Sequence, residues 1–178
     1  MVKKVVLISG KAGSGKSTIA RDLHFVWELK NMDNDRTSMI IHFGDLVKIV
    51  SKEWFGWKGF KNITGRKILQ TTGQTMREID PDIWIKFVHG VCSISNPEVL
   101  FVGDCRYKNE IEYFQKLIGK ENCLVVRLKS NRPSLLTDAQ KNHQSETDLD
   151  DYPFDLIYDN NDKEQKHEII EDILSRLE

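Results

Sequence analysis

The sequence has few of the features that mark secreted, metal-binding or membrane-spanning proteins. Only three of its 178 residues are cysteines, Cys92, Cys105 and Cys123, and they form no CxxC pair. We therefore expect reduced thiols rather than a disulfide framework or a zinc site. No apolar run approaches the roughly 20 residues that span a bilayer, and the amino terminus is too short in apolar residues for a secretory signal. These absences predict a soluble, cytoplasmic protein.

An excess of charge of one sign is also lacking. The 26 basic and 27 acidic side chains give a net charge of −1 at pH 7. Proteins that coat nucleic acid usually carry a basic excess. An anionic ligand must therefore be met by a local group of cations and main-chain amides. We expect a small phosphorylated molecule as the ligand, and neither a nucleic acid polymer nor a membrane as a partner.

Short apolar runs alternate with helical periodicities along the chain, without internal repeats. The apolar runs predict strands at residues 5–9, 38–43, 99–103, 123–128 and 155–158. Between and after them, helices are predicted at residues 16–30, 108–118 and 163–177. This alternation predicts a three-layer α/β/α fold around a mainly parallel five-stranded sheet. Ligands of such folds bind at the carboxyl ends of the strands.

Residues 1–178 are predicted to form one domain with two insertions. Its core comprises residues 1–44, 96–128 and 151–178. The first insertion, residues 45–95, has helical periodicity and is predicted to bind a second substrate. The second insertion, residues 129–150, is polar and has no clear period, which is typical of a mobile lid.

One nucleotide-binding motif is complete. Between the first predicted strand and the first predicted helix the sequence reads Gly10-Lys11-Ala12-Gly13-Ser14-Gly15-Lys16-Ser17. This run satisfies the P-loop pattern G-x-x-x-x-G-K-[ST] in its required context. Glycines let successive main-chain N–H groups turn toward phosphate oxygens, and the helix that follows offers further amides and its dipole. The predicted ATP-binding residues are Gly10, Ala12, Gly13, Ser14, Gly15, Lys16, Ser17 and Thr18. Lys16 would reach the β- and γ-phosphates, and the Ser17 hydroxyl would ligate Mg²⁺.

Charged residues follow two other predicted strands. Asp104 and Arg106 come directly after the strand at 99–103. Asp104 is predicted to hold Mg²⁺ through water, and Arg106 to clamp a transferring phosphate. A helix cap and a surface salt bridge are the alternative for this pair. Asp45 and Lys48 follow the strand at 38–43 and would share one helix face at the same sheet edge.

The first insertion carries a polar stripe. Arg66, Gln70, Gly73 and Arg77 fall within roughly 60° of one another at about 100° per residue. Two guanidinium groups, an amide and a gap at glycine suit a planar base and a phosphate, although a solvated polar face would have the same pattern. The two arginines would lie ~16 Å apart on a straight helix, so both could grip one phosphate only if the helix bends. Gly73 would permit that bend.

Two further residues are candidates for the site. Trp84 could stack on a base, although its helical spacing equally fits a core position. It follows Asp80 and Pro81, which predict a helix start with Asp80 as the cap. Arg132 is predicted to supply a lid cation to the donor phosphates, with simple solubility as the alternative.

Several blocks occur in a characteristic order along the chain. They are residues 9–17, 66–73, 82–86, 104–106, 109–110, 143–146 and 154–157, followed by Asn160. In order and spacing they resemble phage-type deoxynucleoside monophosphate kinases from end to end. The resemblance implies the nucleoside monophosphate kinase variant of the P-loop fold. It also implies an acceptor nucleotide held by Lys48, Arg66, Gln70, Arg77 and Arg106.

The chain is also similar to animal-type phosphomevalonate kinases. The P-loop lysine, a tryptophan-rich helical insertion, the Asp104-x-Arg106 strand end and the stretch 145–150 carry this second resemblance. Three functions stay open: a (deoxy)nucleoside monophosphate kinase, which we favour, a kinase of another small metabolite such as phosphomevalonate or a nucleoside, and a non-enzymatic nucleotide sensor. The predicted catalytic residues are Lys16, Asp104, Arg106 and Arg132. The oligomeric state is open, a homodimer included.

Overall fold

A computed structural model describes residues 2–133 and 136–178 and contains one parallel sheet. Its strands are β1 (Lys4–Gly10), β2 (Ser38–Ile40), β3 (Val99–Cys105), β4 (Cys123–Lys129) and β5 (Leu156–Asp159). They lie in the order β2-β3-β1-β4-β5, and every pairing is parallel. Because the chain crosses to β2 and β3 on one side of β1 and to β4 and β5 on the other, a crevice opens at the carboxyl end of β1. The predicted α/β fold with five parallel strands is confirmed.

The described residues form eight α-helices. These are α1 (Lys16–Lys30), α2 (Gly44–Phe55), α3 (Ile63–Ile79), α4 (Ile83–Ser95), α5 (Lys108–Ile118), α6 (Asp138–Lys141), α7 (Gln144–Thr147) and α8 (Lys163–Ser175). Helices α2 to α4 make up the first predicted insertion, and α6 and α7 lie in the second. In the part of the chain that the structure describes, no helix combines the length and the apolarity needed to cross a membrane.

Two apolar layers cover the sheet because alternate residues of β1 point to opposite faces. Val5 and Leu7 pack on one face with residues of α4 and α5, including Phe114. Val6 and Ile8 pack on the other face with residues of α1 and α8. Since both faces are covered, β1 reads as a continuous apolar run in the sequence. Cys92, Cys105 and Cys123 are buried free thiols within the first layer.

The chain leaves β2 earlier than predicted. The strand ends at Ile40 rather than at residue 43, and α2 begins at Gly44. Asp104 explains the early turn, since its two carboxylate oxygens accept the N–H groups of Phe43 and Gly44, each at 2.9 Å. The connection after β2 is therefore fastened to the end of β3.

Helix α3 is continuous from Ile63 to Ile79, with Gly73 inside it. The prediction about the start of α4 is wrong. Asp80 ends α3 rather than starting α4: its N–H donates to the Met76 carbonyl. The Asp80 carboxylate accepts the N–H of Asp82 at 3.0 Å, and α4 begins only at Ile83. The acidic cap thus holds the turn between the two helices.

Gly103 is required where β3 passes under α1. A Cβ atom there would lie 2.8 Å from the Ala20 Cβ and 2.9 Å from the His42 Cε1. We expect Gly103→Ala to lower the free energy of unfolding by about 1–3 kcal/mol, because it overpacks this crossing. Chemical denaturation measures the change.

Gly90 provides the matched control for this variant. It is exposed in α4, and a Cβ there would meet no atom within 4 Å. Gly90→Ala should leave stability unchanged or raise it by up to about 1 kcal/mol, because alanine favours the helix. Equal stabilities of the two variants would contradict the proposed crowding at Gly103.

Candidate active site

The P-loop joins β1 to α1 in a conformation that depends on glycine. Gly10, Gly13 and Gly15 have φ angles of +152°, +87° and +88°, which side-chain-bearing residues rarely adopt. The register between β1 and β3 also shifts between Leu7 and Ser9, just before the loop begins. The sequence pattern and the backbone therefore agree on a loop curved around an anion site at the end of β1.

Lys16 occupies the centre of this loop and is only 6% exposed. Its Nζ donates to the carbonyl oxygens of Gly10 at 2.7 Å and Lys11 at 2.8 Å. Burial, together with the nearby Arg106 guanidinium, lowers the pKa of Lys16 to about 7, although the Glu146 carboxylate acts in the opposite direction. A bound phosphate would place a negative charge beside the buried Lys16 ammonium.

Asn160, directly after β5, holds the P-loop by a side-chain hydrogen bond. Its Nδ2 donates to the Ser14 carbonyl at 2.8 Å, and its own N–H donates to the Lys129 carbonyl at 2.9 Å. The contact is close: a Cβ at Gly15 would lie 2.4 Å from the Asn160 Nδ2. In the sequence, Asn160 stood out only by its place in a family resemblance.

Glu146 on α7 reaches into the P-loop. One of its oxygens accepts the N–H of Ala12 at 3.0 Å, and the other accepts a hydrogen bond from Arg106. The Arg106 guanidinium also donates to the Ser145 carbonyl at 2.9 Å. A protein carboxylate therefore links the loop to the strand-end arginine, and it orients the guanidinium toward the cleft.

Further bonds hold residues 144–150 against the core. Lys11 donates to the Glu146 carbonyl and to the Asp150 carboxylate, which lies 2.5 Å away. Arg127 donates to Asp150 at 3.0 Å, and the Lys108 N–H donates to Asp148 at 2.8 Å. This half of the predicted lid is thus docked on the P-loop. Ser134 and Leu135, in its other half, lie outside the described residues, whereas Arg132 lines the cleft.

Asp104 and Ser17 both line the cleft, as a magnesium site requires. Asp104 also caps the start of α2, so the alternative role as a helix cap is real. Each carboxylate oxygen keeps a second lone pair that can accept from water. Within residues 2–133 and 136–178, no group of three or more His, Cys, Asp or Glu side chains could hold a metal. Ser17 and Asp104 therefore fit Mg²⁺, which is commonly held by one or two protein ligands, substrate phosphates and water.

The P-loop opens into a cleft of about 470 Å³ whose charge is mostly positive. Among the described residues its cationic lining side chains are Lys16, Lys48, Lys61, Arg66, Arg77, Arg106 and Arg132. Its acidic lining side chains are Asp104, Glu110 and Glu146. The predicted stripe of α3 is present, because Arg66, Gln70, Gly73 and Arg77 all line the cleft. Gly73 leaves room for the Arg77 guanidinium, whose NH1 would lie 3.1 Å from an added Cβ.

Glu110 organises the inner end of the cleft. Its carboxylate accepts the N–H groups of Arg106 at 2.7 Å and Tyr107 at 3.0 Å. Its other oxygen lies 3.7 Å from the Arg77 guanidinium, which packs 4.1 Å from the centre of the Tyr107 ring. Burial raises the pKa of Glu110 to about 7, while these N–H donors and Arg77 stabilise its charged form. One carboxylate therefore holds the main chain at Arg106 and faces the Arg77 guanidinium.

Two predicted substrate-binding residues lie elsewhere. Trp84 is 1% exposed in the core, and its Nε1 donates to the Gly73 carbonyl at 3.1 Å, so it supports α3 from behind and presents no ring to the cleft. Asp45 is absent from the lining because its carboxylate is engaged locally. It accepts the His42 N–H at 2.9 Å and pairs with Lys48 at 2.7 Å. Asp45 therefore orients a lining lysine.

Sequence reasoning missed several lining residues. Lys61 lies between α2 and α3, and Tyr107 follows Arg106 at the end of β3. His42 lines the cleft as well, with its Nδ1 accepting the Gly103 N–H at 3.1 Å. Tyr107 could have been inferred from its place at a strand end. Lys61 gave no such signal, because nothing in its local pattern separates it from other exposed lysines.

Asn160→Ala should weaken ATP binding about fivefold, because it leaves the Ser14 carbonyl without its donor and loosens the P-loop, a loss of about 1 kcal/mol. Calorimetry with a non-hydrolysable ATP analogue measures the affinity. Asn122→Ala is the control, since the Asn122 amide makes a similar bond to the Ile118 carbonyl just before β4, at the amino ends of the strands and away from the P-loop. Identical affinities in the two variants would show that Asn160 does not support the loop.

Comparison with known proteins identifies the fold. No family model and no curated sequence matches the chain. Among solved structures, thymidylate kinase from Ehrlichia chaffeensis aligns over 100% of both chains with a TM-score of 0.50 and 10% identity. Kti12 from Chaetomium thermophilum, solved in complex with ADP-AlF3, covers 98% of this chain and 99% of its own with a TM-score of 0.50 and 11% identity. At such low identity the likeness shows the fold alone. The chain therefore has the fold of the P-loop kinases.

Proposed function

We propose that the chain transfers the γ-phosphoryl group of ATP to the phosphate of a (deoxy)nucleoside monophosphate, which gives ADP and the diphosphate. The observation that carries this proposal is that the P-loop and the polar stripe of α3 line one continuous cleft. Transfer between two bound nucleotides requires donor and acceptor sites that open into each other. The resemblance of the sequence to phage-type deoxynucleoside monophosphate kinases favours the same acceptor class.

The donor half of the cleft would hold ATP by its phosphates. Main-chain amides of the P-loop and the start of α1 would bind phosphate oxygens, and Lys16 would meet the β- and γ-phosphates. Ser17, and Asp104 through water, would hold Mg²⁺, which when bound neutralises phosphate charge. Glu146 occupies the Ala12 N–H and so leaves the amides deeper in the loop for the triphosphate.

The acceptor half would present a second phosphate to the first. An acceptor monophosphate is already ionised at neutral pH, so its oxygen needs no general base. Arg106 is well placed to bridge the two halves, because its guanidinium is tied to Glu146, which itself contacts the P-loop. Arg77 and Gln70, which line the cleft, would contact the acceptor. Catalysis would then consist of alignment and charge neutralisation by groups that are already oriented.

One observation favours a second acceptor class. Besides Lys16, six cationic side chains line the cleft against three acidic ones, so it can take a strongly anionic acceptor beside the donor phosphates. The lining aromatic rings of Phe43 and Tyr107 are almost fully buried, so neither offers an open face to a base. A small acceptor with two anionic groups, such as phosphomevalonate, would suit this lining. A non-enzymatic nucleotide sensor is the third alternative.

A coupled ADP-release assay separates these functions. The protein with ATP, Mg²⁺ and a panel of ribo- and deoxynucleoside monophosphates should release ADP faster than without an acceptor. Lys16→Ala should lower this rate by ~100-fold or more while the protein stays folded. Lys116→Ala, at an exposed position of α5, is the matched control and should retain the parent rate.

The outcomes exclude one another. If, in the same assay, phosphomevalonate accelerates ADP release and no nucleoside monophosphate does, the nucleotide acceptor is rejected and the second class is supported. ATP binding with no acceptor that accelerates ADP release would reject a kinase altogether.

The acceptor role of α3 is tested by Arg77→Ala and Gln70→Ala. Each variant should raise the KM for the acceptor about tenfold or less while the KM for ATP stays within twofold, because each removes one polar contact to the acceptor. Lys67→Ala changes a neighbouring exposed position on the same helix that does not line the cleft, and should change neither constant. An acceptor KM that is the same in all three variants would remove the stripe from the site.

A further inference from the structure

The cationic side chains of the cleft differ in whether the protein already pairs them. Three of them each face a carboxylate, in the pairs Lys48–Asp45, Arg77–Glu110 and Arg106–Glu146. The side chains of Lys61, Arg66 and Arg132 make no hydrogen bond or ion pair within residues 2–133 and 136–178. Lys61 and Arg66 lie close together in the chain, just before α3 and in its first turn. Unpaired positive charge is therefore concentrated at this end of α3.

The loop that carries Lys61 is tightly built. The indole N–H of Trp57 donates to the Phe60 carbonyl at 2.9 Å, and the Asn62 Oδ1 accepts the N–H of Gly65 at 2.8 Å. A Cβ at Gly65 would lie 1.9 Å from the Phe60 carbonyl oxygen, so glycine is required for this close approach. The residues on both sides of Lys61 are therefore held by hydrogen bonds, while its ammonium group is left without a partner.

A ligand in the cleft can reach Lys61, because the residue is exposed and lines the cleft. Partial burial lowers the pKa of Lys61, and three cations act in the same direction: Lys48, Arg66 and Arg106. The Asp104 carboxylate acts in the opposite direction. An anion bound among these cations would relieve their mutual repulsion and stabilise the charged form of Lys61. Phosphate oxygens, which accept hydrogen bonds from ammonium and guanidinium groups, suit this position.

We propose that Lys61, together with Arg66, binds the phosphate of the acceptor, and that the loop before α3 is built to hold this lysine at the cleft. This inference rests on the proposed function and adds Lys61 to its acceptor site. The donor triphosphate has its own partners, since Lys16 and the main-chain amides lie in the P-loop. Arg106 is close enough to act on the charge of Lys61, so the bound phosphate would face the group that is transferred.

Lys61→Ala tests the inference. The KM for the acceptor should rise about tenfold, as expected for a lost hydrogen bond between charged groups, and the KM for ATP should stay within twofold. The rise should be equal for monophosphates that differ in base or sugar, since all carry the same phosphate. Lys61→Arg keeps the positive charge and should recover most of the loss. The melting temperature of ligand-free Lys61→Ala should not fall, because the side chain has no partner there to lose.

Lys58→Ala is the matched control. Lys58 is an exposed lysine of the same loop, and it does not line the cleft. The substitution removes the same charge from the protein as Lys61→Ala does, so it reports any effect of net charge on the binding of an anionic acceptor. This variant should leave both KM values unchanged.

Several results would overturn the inference: an unchanged acceptor KM in Lys61→Ala, a rise for ATP in place of the acceptor, a rise confined to one base or sugar, an equal rise in Lys58→Ala, no recovery in Lys61→Arg, or a lower melting temperature of ligand-free Lys61→Ala. Its failure is distinct from that of the proposed function. If the parent protein is active with a monophosphate and Lys61→Ala equals it, only the Lys61 inference falls. If the parent neither binds nor turns over any monophosphate in calorimetry and in the ADP assay, both fall.

Discussion

The buried ammonium of Lys16 is the constraint on which the rest of the site depends. It lies inside the P-loop, bound to the carbonyl oxygens of Gly10 and Lys11, and burial has lowered its pKa to about 7. Such a cation is costly until an anion joins it. The surrounding structure keeps the loop curved around this charge: Asn160 holds it from β5, and the docked stretch at residues 144–150 holds it from the front. A rigid, positively charged cavity at the end of β1 results, and it suits phosphate.

Carboxylates that are themselves held by main-chain amides or arginines orient the other groups of the cleft. Glu146 connects Arg106 to the P-loop, Glu110 positions Arg77, and Asp104 fixes the start of α2 beside Ser17. This arrangement limits the motion of each guanidinium before any substrate binds. Groups that are oriented in advance stabilise developing charge without reorganising during the reaction. The acidic residues of the cleft therefore serve to orient the groups around them.

The sequence predicts what depends on local pattern and misses what depends on distant contacts. The P-loop, the five strands and the polar stripe of α3 follow from motif and periodicity. The role of Glu146 does not, because its partner Ala12 is 134 residues away. The spacing of Trp84 fits either a core residue or a ligand-binding one. Its buried hydrogen bond to the Gly73 carbonyl, 11 residues away, shows that it is a core residue. Asp80 likewise resembles a helix cap in sequence, yet it closes the preceding helix.

Under the proposed function, one cleft holds a triphosphate and a phosphorylated acceptor side by side. A bisubstrate ligand, in which a polyphosphate chain joins adenosine to a second nucleoside, measures this directly by calorimetry. If both halves are engaged at once, it should bind at least about 100-fold more tightly than an ATP analogue, because the second half then binds within the same molecule. An affinity no higher than that of the ATP analogue would contradict the account.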